Sequence, residues 1–98
     1  MLKTREELKE YLKTSTCQTI ILKFTASWCG PCKSLAQTLE QIETNVPIEV
    51  IDIDVHPEIA TEYGIRGVPT LVMVEENNAT KRLIGSKTKQ ELEAFIND

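Results

Sequence analysis

The chain has 98 residues, of which 41% are hydrophobic and 27% charged, and its formal net charge is −4. This length supports one domain over residues 1–98, and an acidic balance without a run of five basic residues argues against a nucleic-acid-binding protein. No apolar run approaches the about 20 residues that span a membrane, and the N-terminus has no signal-peptide core, so we expect a cytoplasmic protein.

Hydrophobic periodicity predicts eight elements along the chain. They are a helix over 4–14, a strand over 19–25, a helix over 32–44, a strand over 48–55, a helix over 57–64, strands over 70–74 and 80–84, and a last helix beginning near 88. Thr4 with Glu7 and Thr88 with Glu91 have the spacing of capping boxes at the first and last helices. Gly64 suits the position after a helix end.

This order of elements predicts an α/β fold. Alternating strands and helices favour parallel pairing of the first two main strands through a right-handed crossover, and Asn77-Asn78 suits the turn of a closing antiparallel hairpin. Residues 1–3 would add a short, truncated first strand. We therefore expect a central mixed sheet of four to five strands flanked by four helices, a three-layer α/β/α sandwich.

The cysteines point to redox or metal chemistry rather than to structural crosslinks. There are three of them, and Cys29 and Cys32 lie three residues apart while Cys17 stands alone. Cys29 would occupy the N-terminus of a helix, where free N–H groups and the helix dipole stabilise a thiolate. Cys32 lies about one turn further on, and Pro31 fits a first turn that needs no donor. An exposed Cys29 would attack a substrate disulfide, and a more buried Cys32 would release the product.

Two other interpretations of the pair are weaker. A zinc site would need Cys17 and His56 as further ligands, but a strand separates Cys17 from the pair by about 25 Å at about 3.3 Å per residue. Buried cysteines without chemistry would not be separated by Gly30 and Pro31, which are turn residues. We therefore predict no metal. His56 precedes Pro57 and is expected to be a loop residue.

Two segments resemble the thioredoxin family. The first is Phe24-Thr25-Ala26-Ser27-Trp28-Cys29-Gly30-Pro31-Cys32-Lys33, which is similar to the family's active-site segment. The second is Tyr63-Gly64-Ile65-Arg66-Gly67-Val68-Pro69-Thr70, which is similar to the loop before the family's fourth strand. The resemblance implies the thioredoxin fold and a protein-disulfide reductase that needs no cofactor beyond a reversible Cys29–Cys32 disulfide.

The resemblance also implies roles for residues around the cysteines. Trp28, Gly30, Pro31 and Pro69 would support the active site, with Pro69 as the family's cis-proline. Topology agrees, because a strand antiparallel to 19–25 begins where that strand ends and so places Pro69 near Cys29. The substrate surface implied by the resemblance consists of Trp28, Ile53, Gly67, Val68 and Gly85, although Ile53 and Val68 would also suit a core.

The chain departs from the family at Lys23 and Gln37. Lys23 stands where most thioredoxins have a buried aspartate, and Val50 replaces the lysine usually found opposite it. Lys23 could extend to solvent, pair with Glu49 or Asp52, or be neutral often enough to accept a proton from Cys32. Gln37 replaces a proline that kinks the active-site helix, so we expect a straighter helix.

We therefore expect a monomeric enzyme that reduces disulfide-containing client proteins and is recharged by a thioredoxin reductase. A thioredoxin-fold binding subunit with dispensable cysteines is one alternative. A glutathione-linked, glutaredoxin-like enzyme is another, but Gly30 and Pro31 between the cysteines argue against it. Cys17 is expected to be an incidental, partly exposed thiol, with regulatory oxidation or intermolecular pairing as the alternative.

Overall fold

The computed structural model describes residues 19–76 and 78–97. In chain order the elements are β1 (Thr19–Thr25), α1 (Gly30–Glu40), β2 (Ile48–Asp52), α2 (Pro57–Glu62), β3 (Thr70–Glu75), β4 (Asn78–Ile84) and α3 (Lys89–Asn97). The helix predicted over 4–14, the short strand over 1–3 and Cys17 lie outside the described residues.

The strands form one mixed sheet in the order β2-β1-β3-β4. β1 pairs in parallel with β2 and antiparallel with β3, and β4 closes the sheet antiparallel to β3. The predicted parallel pairing and closing hairpin are confirmed. β1 and β2 end at the same end of the sheet, and β3, which runs antiparallel to β1, begins there. The cysteine pair follows β1 and therefore lies at this end.

Helices cover both faces of this sheet. Ile20, Leu22 and Phe24 of β1 pack with Ile59 of α2 on one face. The other face of the sheet packs against α1 and α3. The buried side chains of this second core come from the strands and from both helices: Ile21, Leu35, Leu39, Leu71, Met73, Leu92, Phe95 and Ile96. A strand buried on both faces needs apolar residues at consecutive positions, which explains the run Ile20-Ile21-Leu22. The three-layer arrangement predicted from the sequence is confirmed.

Local capping sets two helix ends as predicted. At the end of α2, the Gly64 N–H donates to the Thr61 carbonyl at 3.1 Å and the Ile65 N–H donates to the Ala60 carbonyl at 2.9 Å, which is a Schellman motif. Gly64 has a φ of +66°, a conformation that glycine adopts without steric cost. At the start of α3, the Glu91 N–H donates to Thr88 Oγ1 at 3.2 Å in a capping box.

Several predicted boundaries are wrong. α1 begins at Gly30 rather than at residue 32, α2 ends at Glu62 rather than at residue 64, and three further differences have a visible cause. β2 ends at Asp52 rather than at residue 55, because Asp52 Oδ1 accepts the Asp54 N–H at 2.9 Å and the Asp52 carbonyl accepts the His56 N–H at 2.8 Å, which turns the chain. α1 ends at Glu40 rather than at residue 44, and a tight last turn follows in which the Ile42 N–H donates to the Leu39 carbonyl.

The third of these further differences is the hairpin turn. β3 continues to Glu75 and β4 already begins at Asn78. The residue that takes the left-handed conformation is Glu76, with a φ of 51°, and the Asn78 side chain donates to its carbonyl at 3.3 Å. Asn77 lies outside the described residues. The turn is therefore centred before Asn78, which itself pairs with Glu75.

Candidate active site

Cys29 caps the N-terminus of α1. It has an extended conformation, with φ −92° and ψ 109°, and its Sγ accepts the backbone N–H of Cys32 at 3.2 Å. Pro31 lies in the first turn, where the backbone N–H that proline lacks would have no acceptor within the helix. The sulfur of Cys29 therefore occupies the place where a helix stabilises negative charge, as the sequence predicted.

The two cysteines are joined by a disulfide, with their Cα atoms 5.3 Å apart. Each is only 4% exposed, and both pack with Ala26, Ile53 and Val68. The expectation of an exposed Cys29 and a more buried Cys32 is therefore wrong for this oxidised state. The neighbouring apolar side chains cover both sulfurs to the same extent, and attack by or on Cys29 must take place in a largely apolar recess.

The loop before β3 forms one wall of this recess. The Val68 carbonyl oxygen lies 3.7 Å from Cys29 Sγ, and the Val68–Pro69 peptide bond is cis. Thr70 Oγ1 donates to the Gly67 carbonyl at 2.8 Å, and the Gly85 N–H donates to the Pro69 carbonyl at 2.9 Å. These bonds hold the loop against the start of β3 and the end of β4, so the sequence positions 67–69 and 85 meet beside Cys29.

Trp28 forms the outer rim of the recess. Its ring is 68% exposed, and its Nε1 donates to Asp54 Oδ2 at 2.9 Å. Asp54 falls within the strand predicted over 48–55, and the sequence pattern did not indicate this contact. The only signal available was topological: Asp54 follows the carboxyl end of β2, beside the end of β1 from which Trp28 follows.

Of the five residues implied as a substrate surface, Ile53 and Val68 pack against the cysteines, Trp28 directly precedes Cys29, and the Gly85 N–H donates to the Pro69 carbonyl. We call the set of five the redox surface: Trp28, Ile53, Gly67, Val68 and Gly85. The Ile53 N–H donates to the Thr25 carbonyl at 2.9 Å, so this residue continues the β1–β2 ladder past the end of β2. Ile53 and Val68 are half-buried and pack against the cysteines as well as against the core. The core interpretation of these two residues is therefore confirmed, and their packing extends to the cysteines.

Lys23 lies on the sheet face that α1 covers, opposite Val50 on β2 and Leu71 on β3. Its side chain is half-buried, and this desolvation lowers its pKa below 10.5, while the negative charge of Glu40 acts in the opposite direction. The carboxylate whose charge acts on Lys23 is thus Glu40, at the end of α1, whereas Glu49 and Asp52 were named in one of the three options that the sequence left open. Because desolvation outweighs the charge of Glu40, the Lys23 ammonium loses its proton more easily than a solvated lysine does.

Two further expectations concern Gln37 and His56. α1 runs without interruption through Gln37, which is exposed. His56 lies outside the helix as its N-cap, in agreement with the expected loop position before Pro57, and it is buried, with its Nδ1 3.5 Å from Glu58 Oε1. Within residues 19–76 and 78–97 no three His, Cys, Asp or Glu side chains form a group that could hold a metal ion, and no helix is long and apolar enough to cross a membrane.

Comparisons with known proteins agree with this site. The family model described as Thioredoxin matches residues 1–98. The thioredoxin of Chlamydia caviae is 38% identical over 81 residues, which make up 80% of this chain and 79% of that protein. A Mycobacterium leprae protein named bifunctional thioredoxin reductase/thioredoxin is 32% identical over 88 residues, which are 86% of this chain and 19% of that protein.

A similar solved structure agrees on the fold. A mutant thioredoxin from Halobacterium salinarum NRC-1 superposes with a TM-score of 0.85 at 31% identity, covering 97% of this chain and 84% of that one. Sequence, fold and the closed Cys29–Cys32 pair all lead to the same classification. The chain belongs to the thioredoxin family of protein-disulfide oxidoreductases.

Proposed function

We propose that this protein reduces disulfides in client proteins, with Cys29 as the attacking nucleophile and Cys32 as the resolving thiol. The observation that carries this assignment is the position of Cys29 Sγ, which accepts the Cys32 N–H at the N-terminus of α1 and lies 3.7 Å from the Val68 carbonyl. In the reduced protein the same N–H would donate to the Cys29 thiolate and so favour the form that is able to attack.

The reaction proceeds by two thiol–disulfide exchanges. The Cys29 thiolate attacks one client sulfur, the client S–S bond breaks, and one client thiolate leaves as a Cys29–client disulfide forms. Cys32, once deprotonated, attacks Cys29 Sγ, the mixed disulfide breaks, and the second client thiolate leaves. Two electrons pass from the protein to the client, both client thiolates take up protons, and the Cys29–Cys32 disulfide seen in the structure is the product.

The redox surface is the proposed docking site for the client segment that carries the disulfide. Trp28 offers an exposed aromatic ring on one side of the cysteines, and Gly67 and Gly85 leave room for an approaching backbone on the other. Gly30 and Pro31 support the site by shaping the first turn of α1, and Pro69 by placing the Val68 carbonyl beside Cys29. A client disulfide must reach nearly buried sulfurs, so this open surface is where its flanking residues would be held.

The remaining assignments are also proposals. A thioredoxin reductase would regenerate the dithiol, and the Mycobacterium leprae relative, whose name combines both activities in one chain, supports such a pairing. We propose that the protein acts as a monomer of one domain over residues 1–98, in the cytoplasm, where reducing conditions keep the dithiol charged. The redox couple itself would suffice, without another cofactor.

The test is reduction of insulin by dithiothreitol, with three versions of the protein. Wild type should accelerate the appearance of insoluble B chain, and Cys29→Ser should return the rate to that of dithiothreitol alone. Cys17→Ser is the matched control, because it removes the cysteine outside the pair and should keep the acceleration. Failure of wild type to accelerate the reaction would refute the reductase and favour the binding subunit.

A further inference from the structure

A small pocket lies next to the redox surface, between the loop after α2 and the edge strand β4. Its volume is about 150 Å³, and it is lined by residues 64–67, Thr70, Arg82 and Ile84. The register explains its position: Thr70 pairs with Ile84 and Val72 with Arg82, so both β4 side chains lie on the sheet face that α2 covers further inward. The helix does not extend over this edge, and Ile84 remains 68% exposed.

The pocket is positively charged on a negatively charged protein. Arg66 and Arg82 both line it, and no acidic side chain does so among the residues that the structure describes. Neither guanidinium has a carboxylate partner in that part of the chain, although the protein as a whole has a net charge of −4. Two arginines without a carboxylate partner among residues 19–76 and 78–97, beside an exposed isoleucine, have the chemistry to bind a ligand that is both apolar and anionic.

The size and location of the pocket suggest the occupant. Small-molecule sites usually measure about 300–1,000 Å³, so a pocket of about 150 Å³ suits one side chain better than a cofactor. It is continuous with the redox surface, since Gly67 belongs to both and Ile84 directly precedes Gly85. A polypeptide lying along the redox surface could therefore place a residue in the pocket while its disulfide meets Cys29.

We propose that this pocket selects client polypeptides carrying an aspartate or glutamate beside an aliphatic residue, a few positions from the disulfide. Ile65 and Ile84 would hold the aliphatic side chain, and Arg66 and Arg82 would bind the carboxylate. This inference deepens the proposed function and rests on it for the identity of the client. It assigns Arg66, Arg82 and Ile84 as specificity-determining residues outside the redox surface.

Two peptides test the proposal. Both carry an intermolecular disulfide and a leucine, and they differ only in having glutamate or lysine next to that leucine. The ratio of kcat/KM values, glutamate peptide over lysine peptide, should exceed about threefold for wild type, as one or two partly exposed ion pairs would produce. Arg82→Glu should lower this ratio to about one, because the new carboxylate offsets the remaining charge of Arg66. Lys89→Glu is the matched control, because it makes the same charge change at an exposed site outside the pocket and should preserve the preference.

Binding measured with a protein that cannot react distinguishes the pocket proposal from the reductase proposal. The Cys29→Ser/Cys32→Ser protein, titrated with serine versions of the peptides and followed by NMR, should bind the glutamate peptide more tightly, with the largest shifts at residues 64–67 and 82–84. Reduction of both peptides at equal rates, with equal binding, would overturn the pocket while leaving the reductase intact. Selective binding without any reduction by wild type would keep the pocket and refute the reductase. Self-association that Arg82→Glu abolishes would instead assign the pocket to a second copy of this chain.

Discussion

The indole Nε1 of Trp28 donates a 2.9 Å hydrogen bond to Oδ2 of Asp54, and this bond joins the segment after β1 to the turn after β2. Asp54 is itself held by that turn, because its N–H donates to Asp52 Oδ1. An exposed tryptophan has several rotamers available, and a fixed acceptor selects one of them. The rim of the active site is thus oriented by a residue 26 positions away in sequence.

Removal of this acceptor should impair client reduction. Asp54→Ala leaves the Trp28 ring free to reorient, at a cost of about 0.5–1 kcal/mol, so we expect kcat/KM for insulin to fall by about two- to fivefold. Asp54→Asn keeps an oxygen acceptor and should retain most of the activity. Trp28 is the only tryptophan, so its fluorescence reports the change directly. Equal activity and unchanged fluorescence in Asp54→Ala would show that the bond does not orient the ring.

Lys23 should make stability depend on pH in the alkaline range. Burial lowers the pKa of Lys23 in the folded protein below the 10.5 expected for the unfolded chain. Below the folded pKa the lysine is charged in both states, and the desolvation penalty is fully present. Between the two pKa values only the unfolded state keeps the proton, so the stability of wild type rises with pH there.

The variant that isolates this effect is Lys23→Met, which keeps the length of the side chain and removes the charge. We expect it to be more stable than wild type at pH 7 by less than about 1 kcal/mol, because water screens a half-exposed charge. The advantage should shrink as the pH approaches 10.5. Urea unfolding at several pH values measures it, with exposed Lys33→Met as the control. A constant difference at all pH values would contradict the assignment.

Lys23 is also proposed to support the resolving step. It lies on the sheet face covered by α1, the helix that carries Cys32, and its lowered pKa makes a neutral amine more accessible. Lys23→Met should therefore slow the release of client from the Cys29 mixed disulfide and change the pH dependence of that rate. Rapid-mixing kinetics with a fluorescent disulfide peptide measure the step. An unchanged pH profile would limit Lys23 to its electrostatic interaction with Glu40.

Gly64 should be required because of its left-handed backbone conformation and not because of crowding by neighbouring atoms. Its φ is +66°, and a Cβ added there would meet no atom within 4 Å, so strain rather than a clash opposes substitution. Gly64→Ala should destabilise the protein by about 1–2 kcal/mol, and Gly64→Asn by less, since asparagine tolerates the left-handed conformation better. Thermal unfolding compares the two. Equal losses would indicate that the Schellman motif does not set the cost.

Much of this architecture was predictable from the sequence because its signals are local. Thr88 and Glu91 form their capping box within one helical turn, and α2 ends through two bonds, from the Gly64 N–H to the Thr61 carbonyl and from the Ile65 N–H to the Ala60 carbonyl. The parallel and antiparallel pairings followed from the order of strands and helices. The redox role of Cys29 and Cys32 was predictable from their spacing at the start of a helix, because a helix N-terminus stabilises negative charge on the sulfur that caps it.

The features missed are those in which distant segments meet. The end of β2 depended on the side chain of Asp52 turning the chain, and the burial of Cys29 depended on Ile53 and Val68 packing over it. Glu40 acts on Lys23 because α1 lies across the sheet, and Arg66 joins Arg82 because β4 pairs beside the loop after α2. Hydrophobic period and capping follow from neighbours along the chain, whereas these contacts exist only once strand register and helix packing have placed separate segments side by side.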